Sequence, residues 1–263
     1  MTYSQFHLIF TLPLLALLIF VSRRTWLGRE NQLFMGLGFL CLIAFVYTTP
    51  WDNYLVYRGV WGYEPHRVLA VIGYVPIEEY AFFILQTLIT GFFLWNLRVR
   101  FNWKGSPRLP LSPFWVKALG VGFYLALALW GLWVWGDQPW TYMSLILVWA
   151  YPVLAFQWAY GGDQLLKDWP YFLVGVAVPT LYFGVADAIA IYLGVWEISA
   201  LYTTGWMIGN LPFEEGFFFL TTNLLVVQGL WLFWWVWDQG KIPGQNRLVL
   251  WGSAPQQEME MNR

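Results

Sequence analysis

Cysteine, histidine and charged residues are all scarce in this chain of 263 residues. It contains one cysteine and two histidines, and Asp, Glu, Lys and Arg together make up 11% of it. The single cysteine, Cys41, can form neither an intrachain disulfide nor a cysteine-based zinc site. Two histidines, His7 and His66, are too few for the ligands of a di-iron hydroxylase or desaturase. The net charge of −1 gives no indication of a nucleic-acid partner.

Motifs of several other membrane and lipid-modifying proteins are missing as well. No lysine lies between Pro212 and Trp237, which excludes a rhodopsin-type retinal Schiff base in the last apolar run. No Asp-x-x-x-Asp run is present to hold magnesium diphosphate, as a membrane prenyltransferase requires. The Gly-x-Gly pairs at 36–38 and 120–122 lie inside apolar runs, where small residues favour close helix contacts. They do not follow a strand, as the glycines of a flavin-dependent enzyme would.

What the chain has in abundance is apolar and aromatic surface. Hydrophobic residues make up 59% of the sequence, and 21% of it is aromatic, including 20 tryptophans. Seven apolar runs are long enough to cross a bilayer as helices: Tyr3–Val21, Leu33–Thr49, Val75–Leu97, Phe114–Trp135, Trp140–Tyr160, Pro170–Leu193 and Pro212–Trp237. Tryptophans near the predicted helix ends are expected to form the interfacial belt, namely Trp51, Trp95, Trp140 and Trp251. The sequence predicts an all-α integral membrane protein with seven transmembrane helices.

The basic residues are distributed unequally between the two ends of these predicted helices. Only Arg58 and Arg67 fall on one side of the membrane. The other side receives twelve of the fourteen: Arg23, Arg24, Arg29, Arg98, Arg100, Lys104, Arg108, Lys117, Lys167, Lys241, Arg247 and Arg263. Because cytoplasmic loops are enriched in Lys and Arg, this predicts a cell-membrane protein with its N-terminus outside and its C-terminus in the cytoplasm.

Two parts of the chain repeat each other. The stretch 75–83, Val-Pro-Ile-Glu-Glu-Tyr-Ala-Phe-Phe, recurs at 211–219 as Leu-Pro-Phe-Glu-Glu-Gly-Phe-Phe-Phe. Aspartate, glycine and tryptophan at 52, 59 and 61 recur with identical spacing at 187, 194 and 196. We therefore predict tandem three-helix repeats related by an axis along the membrane normal. The predicted division is 1–100 for the first repeat, 101–138 for a basic loop and linking helix, 139–238 for the second repeat and 239–263 for a cytoplasmic tail.

Each copy carries two adjacent glutamates at the start of an apolar helix: Glu78 and Glu79 in the first, Glu214 and Glu215 in the second. Acids at helix starts often only complement the positive end of the helix dipole. A duplicated pair at membrane depth is nevertheless a functional candidate, because ionisable groups are costly there. Since adjacent residues point about 100° apart around a helix, one glutamate of each pair is expected to face the bundle.

Asp52 and Asp187 lie near the ends of the preceding helices, on the same side of the membrane as the glutamates. Aromatic residues at helical spacing from the glutamates or next to the aspartates are expected to line the same site: Phe82, Phe83, Phe218, Phe219, Trp61 and Trp196. A carboxylic acid among aromatic faces suits protonation of an isolated carbon–carbon double bond to a carbocation, which aromatic rings stabilise. Such a mechanism requires no metal or redox cofactor.

The doubled Pro-x-Glu-Glu-x-x-Phe-Phe pattern, each copy with an upstream Asp and Gly-x-Trp, resembles the membrane-integral lycopene cyclases. These comprise the fused form of the small heterodimeric bacterial cyclases and are similar to the cyclase half of fungal bifunctional carotenoid enzymes. The resemblance covers residues 3–237.

This resemblance implies conversion of the ψ ends of lycopene to β-ionone rings, through γ-carotene to β-carotene. It also implies essential Pro-x-Glu-Glu motifs, hence catalytic roles for the four glutamates. Asp52 and Asp187 are expected to tune these acids or to take part in deprotonation. The expected partners are lycopene or a related carotenoid, the lipid bilayer and other carotenoid-pathway enzymes.

Three questions stay open at this point. Paired acids at helix starts could instead bind a proton or solute in a small seven-helix transporter. Cyclases of this kind also include enzymes that act on C50 carotenoids or form a single ring. The second copy has Gly216 where the first has Tyr80, which leaves open whether both repeats are equally competent.

His7 and His66 are expected to be solvated at the interface and not catalytic.

Overall fold

The computed structural model describes residues 1–26, 28–101 and 111–240. Seven long helices run through these residues: α1 Tyr3–Thr25, α2 Glu30–Tyr57, α3 Ile77–Phe101, α4 Pro113–Trp133, α5 Thr141–Lys167, α6 Trp169–Tyr192 and α7 Phe213–Asp238. All seven lie in segments long and apolar enough to cross a membrane, which confirms the predicted all-α membrane fold. The basic loop at 102–110 and the tail predicted after Gly240 lie outside the described residues.

Helix α2 is longer than the sequence indicates. Its predicted span ended at Thr49, just before Pro50, and a proline inside a helix removes a hydrogen bond. In the structure Pro50 lies inside the helix, which continues to Tyr57. Asp52 is consequently a helical residue and is completely buried.

The Gly-Val-Trp sequences after α2 and α6 explain how these two helices end. Gly59 has a φ of +72°, a conformation that glycine adopts without strain. Its amide donates to the Val56 carbonyl at 2.9 Å, and the Val60 amide donates to the Leu55 carbonyl at 3.0 Å. This pair of bonds is a Schellman motif, which satisfies the last carbonyls of the helix. The equivalent bonds form after α6, so the tryptophan that follows each glycine leaves its helix in the same direction.

These tryptophans begin two short strands that connect the halves of the chain. Strand β1 (Trp61–Tyr63) pairs antiparallel with β4 (Trp196–Ile198), with Tyr63 opposite Trp196. We call this pair the ribbon. Two small hairpins complete the described strands: β2 (Val71–Ile72) with β3 (Val75–Pro76), and β5 (Met207–Ile208) with β6 (Leu211–Pro212). Each hairpin leads directly into a helix that begins with a Glu-Glu pair.

Helices α3 and α7 form the centre of the bundle. Helix α3 contacts α1, α2, α6 and α7, and α7 contacts α2, α3, α5 and α6, whereas α4 packs chiefly against α5. The Tyr47 hydroxyl donates to the Trp149 carbonyl at 2.8 Å, joining α2 to α5. The matching residue Tyr182 donates to the Phe10 carbonyl at 2.6 Å, joining α6 to α1. The two halves therefore interlock through equivalent bonds. Their division at the predicted boundaries stays a prediction.

Candidate active site

A small cavity of about 30 Å³ lies beneath the ribbon, where α3 and α7 begin. Its lining comes from both halves of the chain: Tyr3, Trp61, Tyr63, Glu79, Phe82, Asp187, Trp196, Ile198, Glu215, Phe218 and Phe219. We call it the carboxyl cavity. It brings together three of the six predicted acids and five of the six predicted aromatic residues.

In the first half, Glu79 is held by two phenols. The Tyr3 hydroxyl donates to its Oε2 at 2.5 Å and the Tyr63 hydroxyl donates to the same oxygen at 3.0 Å. Burial raises the pKa of Tyr63 well above its ordinary value, and the neighbouring carboxyl groups of Glu79 and Asp52 raise it further. Tyr63 therefore stays a neutral hydrogen-bond donor at physiological pH.

In the second half, two indoles hold the acids. The Trp196 Nε1 donates to Asp187 at 2.8 Å, within the same half of the chain. The Trp61 Nε1 crosses from the first half and donates to Glu215 at 3.0 Å. Tyr142 lies close enough to interact electrostatically with Glu215. Although the two tryptophans occupy equivalent sequence positions, their acceptors are not equivalent, so the cavity is asymmetric.

Asp52 is the acid without a partner. It is completely buried, and neither of its carboxyl oxygens has a hydrogen-bond partner within the described structure. It interacts electrostatically with Glu79 but does not line the cavity.

Within the described residues, no cation is paired with the four clustered acids. Across residues 1–26, 28–101 and 111–240, the ion pairs are His66–Glu64, Arg98–Asp238 and Lys117–Asp163. Asp52, Glu79, Asp187 and Glu215 are thus buried together without a counter-cation. Carboxyl groups in this situation repel one another when ionised, so protons are shared by the cluster as a whole.

The other glutamate of each pair holds a loop in place. Glu78 Oε1 accepts hydrogen bonds from the Leu69 amide and the Ser4 hydroxyl, both at 2.9 Å. Glu214 Oε1 accepts from the amide of Thr204 at 2.7 Å and from its hydroxyl at 2.6 Å. Neither glutamate is among the residues that line the carboxyl cavity. Within each pair, the first acid anchors the preceding loop and the second faces the cavity.

Phe83 and Tyr80, both considered in the sequence analysis, do not line the carboxyl cavity. Phe83 does not line the carboxyl cavity and instead lines an apolar groove between α2, α3, α5 and α7. Tyr80 donates to the Ile72 carbonyl and accepts from Asn53, both at 2.9 Å, so it fastens the hairpin before α3. The glycine at position 216 therefore does not remove a cavity residue from the second half.

Four aromatic residues were missed or misplaced by sequence reasoning. Trp51 was predicted for the interfacial belt, but it is 8% exposed, and its ring stacks on Phe218 at 5.7 Å. Trp95, predicted for the same belt, is fully buried, so the belt prediction is wrong for these two. Tyr3 and Tyr63 donate to Glu79 without having been predicted as site residues. Tyr3 could have been found, because Tyr142 occupies the matching place in the second half.

His7 also differs from expectation. It was expected to be solvated, but it is 6% exposed and its Nε2 donates to the Glu78 carbonyl at 2.9 Å. Its ring stacks on Tyr3 with centroids 5.0 Å apart. The segment His7–Thr11 is π-helical, a distortion that is frequent at functional sites. His66, in contrast, is solvent-exposed as expected.

Comparisons with known proteins identify the family of the chain. A family model described as "Lycopene cyclase" matches residues 2–96 and 138–233. The chain belongs to the lycopene cyclase family. It is 40% identical over 225 residues to a lycopene beta-cyclase of Halobacterium salinarum, covering 85% of this chain and 92% of that protein. No solved structure matches the chain.

Fungal members of the lycopene cyclase family are longer. The chain is 38% identical over 234 residues to a bifunctional lycopene cyclase/phytoene synthase of Phycomyces blakesleeanus, covering 86% of this chain. It spans 38% of the length of that fungal protein. A relative of the same description from Podospora anserina is 33% identical over 241 residues, covering 88% of this chain and 40% of that protein.

The anchoring role of Glu214 predicts a difference between two substitutions. Glu214→Ala removes the acceptor of the Thr204 amide, and leaving such a group unsatisfied costs about 1–3 kcal/mol. We expect amide exchange at Thr204 to accelerate about tenfold or more in hydrogen–deuterium exchange of the detergent-solubilised protein. Glu214→Gln keeps an oxygen acceptor and should change exchange little. Equal exchange in both variants would show that this bond does not hold the loop.

Proposed function

We propose that this chain is a lycopene cyclase that converts the ψ ends of lycopene to β-ionone rings. The observation that carries the proposal is the carboxyl cluster of Asp52, Glu79, Asp187 and Glu215, which is buried near aromatic rings with no counter-cation in the part of the chain that the structure describes. Family membership supports lycopene as the substrate, and the beta-cyclase of Halobacterium salinarum supports the ring type.

The cyclisation of each end adds one proton to the carotenoid and later removes another. A proton from the cluster adds to the isolated terminal double bond of a ψ end and leaves a tertiary carbocation. The nearest double bond of the conjugated polyene attacks this cation, which forms the ring bond and leaves a tertiary cation in the ring. Loss of a ring proton to a carboxylate then restores a double bond, so that the product is an isomer of the substrate.

The surroundings of the cluster suit the cationic stage of this reaction. Rings of Phe82, Phe218 and Phe219 line the cavity, and a desolvated aromatic face stabilises a cation by about 2 kcal/mol or more. The acids receive hydrogen bonds from neutral phenols and indoles. Neutral donors leave the negative charge of a carboxylate available to the carbocation, whereas a bound arginine would offset it.

Both halves contribute acids to one cavity, and this supports a single site that processes the two substrate ends in succession. The monocyclic γ-carotene is then an intermediate that must leave and return with its other end. We assign the proton transfers to Glu79 and Glu215 and the tuning of the cluster to Asp52 and Asp187. Glu78 and Glu214 support the site through the loops that they anchor.

The direct test is the pigment profile of bacteria that accumulate lycopene, with and without this chain. We expect lycopene to decline, with γ-carotene appearing first and β-carotene afterwards at unchanged mass. Unchanged lycopene, with the protein present in the membrane, would contradict the proposal. If only C50 carotenoids were converted, the chain would still be a cyclase but with a different substrate. Ion-coupled solute uptake would instead favour the alternative function of a transporter.

The two glutamates of one pair provide a matched comparison. Glu79→Gln and Glu215→Gln remove an acid from the cavity without changing its shape, and general acid catalysis contributes roughly 10²- to 10⁴-fold. We expect each to lower ring formation at least about a hundredfold. Glu78→Gln keeps an acceptor for the Leu69 amide and should retain most of the activity. Equal loss in all three variants would contradict this division of roles.

We also propose that the N-terminus lies outside the cell membrane and the C-terminus in the cytoplasm, as the Lys and Arg distribution predicts. The carboxyl cavity then lies toward the outer leaflet. A fluorescent reporter that folds only in the cytoplasm should be active when fused to the C-terminus. An alkaline phosphatase fusion at the same position should be inactive, and the reverse pattern would overturn the orientation. The bilayer and other carotenoid-pathway enzymes are the remaining proposed partners.

A further inference from the structure

A second and larger opening lies on the side of the bundle. It is a groove of about 330 Å³ between α2, α3, α5 and α7, within the size range of ligand sites. On α7 its lining extends from Phe218 to Leu232, which corresponds to about 21 Å at 1.5 Å per residue. The hydrocarbon core of a bilayer is about 30 Å thick, so the groove extends across much of it. Its shape is that of a site for an extended chain.

The lining of the groove is almost entirely apolar. Leu40, Ala44 and Thr48 lie in one row along α2, and Phe156 and Val153 face them from α5. The few amide donors are already paired within the protein. Gln86 donates to the Thr222 hydroxyl at 2.7 Å, and Gln157 donates to the Leu225 carbonyl at 3.1 Å. A ligand in this groove is therefore held chiefly by apolar contact.

The groove and the carboxyl cavity share one side chain, Phe218, which lines both. A stack of rings continues from there. Trp51 lies parallel to Phe218 at 5.7 Å, with 6° between the planes, and Trp149, which lines the groove, stacks on Trp51 at 4.4 Å. On the cavity side, the edge of Trp61 meets Phe218 at 5.6 Å. The Phe218 ring therefore lies at the boundary between the long apolar groove and the cavity that holds the acids.

We infer that this groove binds the polyene chain of the carotenoid while one of its ends reaches the acids past the Phe218 ring. The inference rests on the proposed function and adds a substrate-binding site to it. The carboxyl cavity, at about 30 Å³, has room for about one water molecule. A ψ end must therefore displace a ring to enter, and Phe218 is the ring between the two spaces. A rigid, apolar, extended polyene matches the groove in its elongated shape and in its polarity.

Two positions on α2 provide the test. Ala44 lies in the row that lines the groove, so Ala44→Trp fills the groove and Ala44→Leu fills it partly. Val46 is 62% exposed and is not a lining residue. It points to the opposite side of the helix, two residues further along, which makes Val46→Trp the matched control. Each substitution is made in the active chain and in a Glu79→Gln background, in which bound lycopene is not consumed.

The first measurement is the amount of lycopene that co-purifies with each Glu79→Gln variant, per mole of monodisperse protein. We expect at least a tenfold loss for Ala44→Trp, a smaller loss for Ala44→Leu and no change for Val46→Trp. In the active chain, ring formation should fall in the same order. If Ala44→Trp does not yield monodisperse protein, the graded comparison of Ala44→Leu with Val46→Trp decides.

The possible outcomes test polyene binding in the groove independently of the proposed cyclase function. Normal retention of lycopene in the Ala44 variants, or no retention by any variant, would contradict polyene binding in the groove. This holds whatever products the active chain forms. A change in co-purifying phospholipid without a change in lycopene would show that the groove holds an acyl chain, which also overturns the inference. Selective loss of lycopene in a chain that forms no rings would instead support the groove and contradict the cyclase.

Discussion

The burial of four carboxyl groups with no counter-cation among the described residues is the constraint on which the rest of this structure depends. Removing an ionised carboxylate from water costs several kcal/mol, and an arginine or lysine partner is the usual compensation. Here Glu79, Asp187 and Glu215 receive hydrogen bonds from phenols and indoles instead. Each of these three acids thus accepts a hydrogen bond from a neutral donor, which adds no positive charge to the site. A site of this kind favours a cation that forms inside it.

The ribbon supplies most of these donors. Trp61 and Tyr63 are two residues apart on β1, a spacing that directs both side chains to the same face of a strand. Trp196 reaches the cavity from the paired strand β4. The ribbon in turn depends on the Schellman motifs at Gly59 and its counterpart, which fix where each chain segment leaves its helix. The Gly-x-Trp pattern is thus the local sequence feature that positions indoles from both halves next to the acids.

Duplication produced two copies of each part, but the copies are not used identically. The first glutamate of each pair anchors a loop in both halves. Trp61 crosses to Glu215 of the other half, whereas Trp196 binds Asp187 of its own. One cavity with unequal acids is suited to a reaction in which a proton enters from one position and leaves from another. Two equivalent sites would require two complete sets of acids.

Composition and spacing alone determined the membrane class, the seven helices, the duplicated motifs and the acids that could carry chemistry, because apolar runs and helical periods are local properties of a chain. They did not determine which glutamate of a pair faces the cavity, or that Trp51 is buried in the bundle and does not belong to the interfacial belt. Nor did they indicate that α2 continues through Pro50 to bury Asp52. These outcomes depend on packing between helices distant in the sequence, and above all on the pairing of β1 with β4. Only the tertiary structure brings those elements to one place.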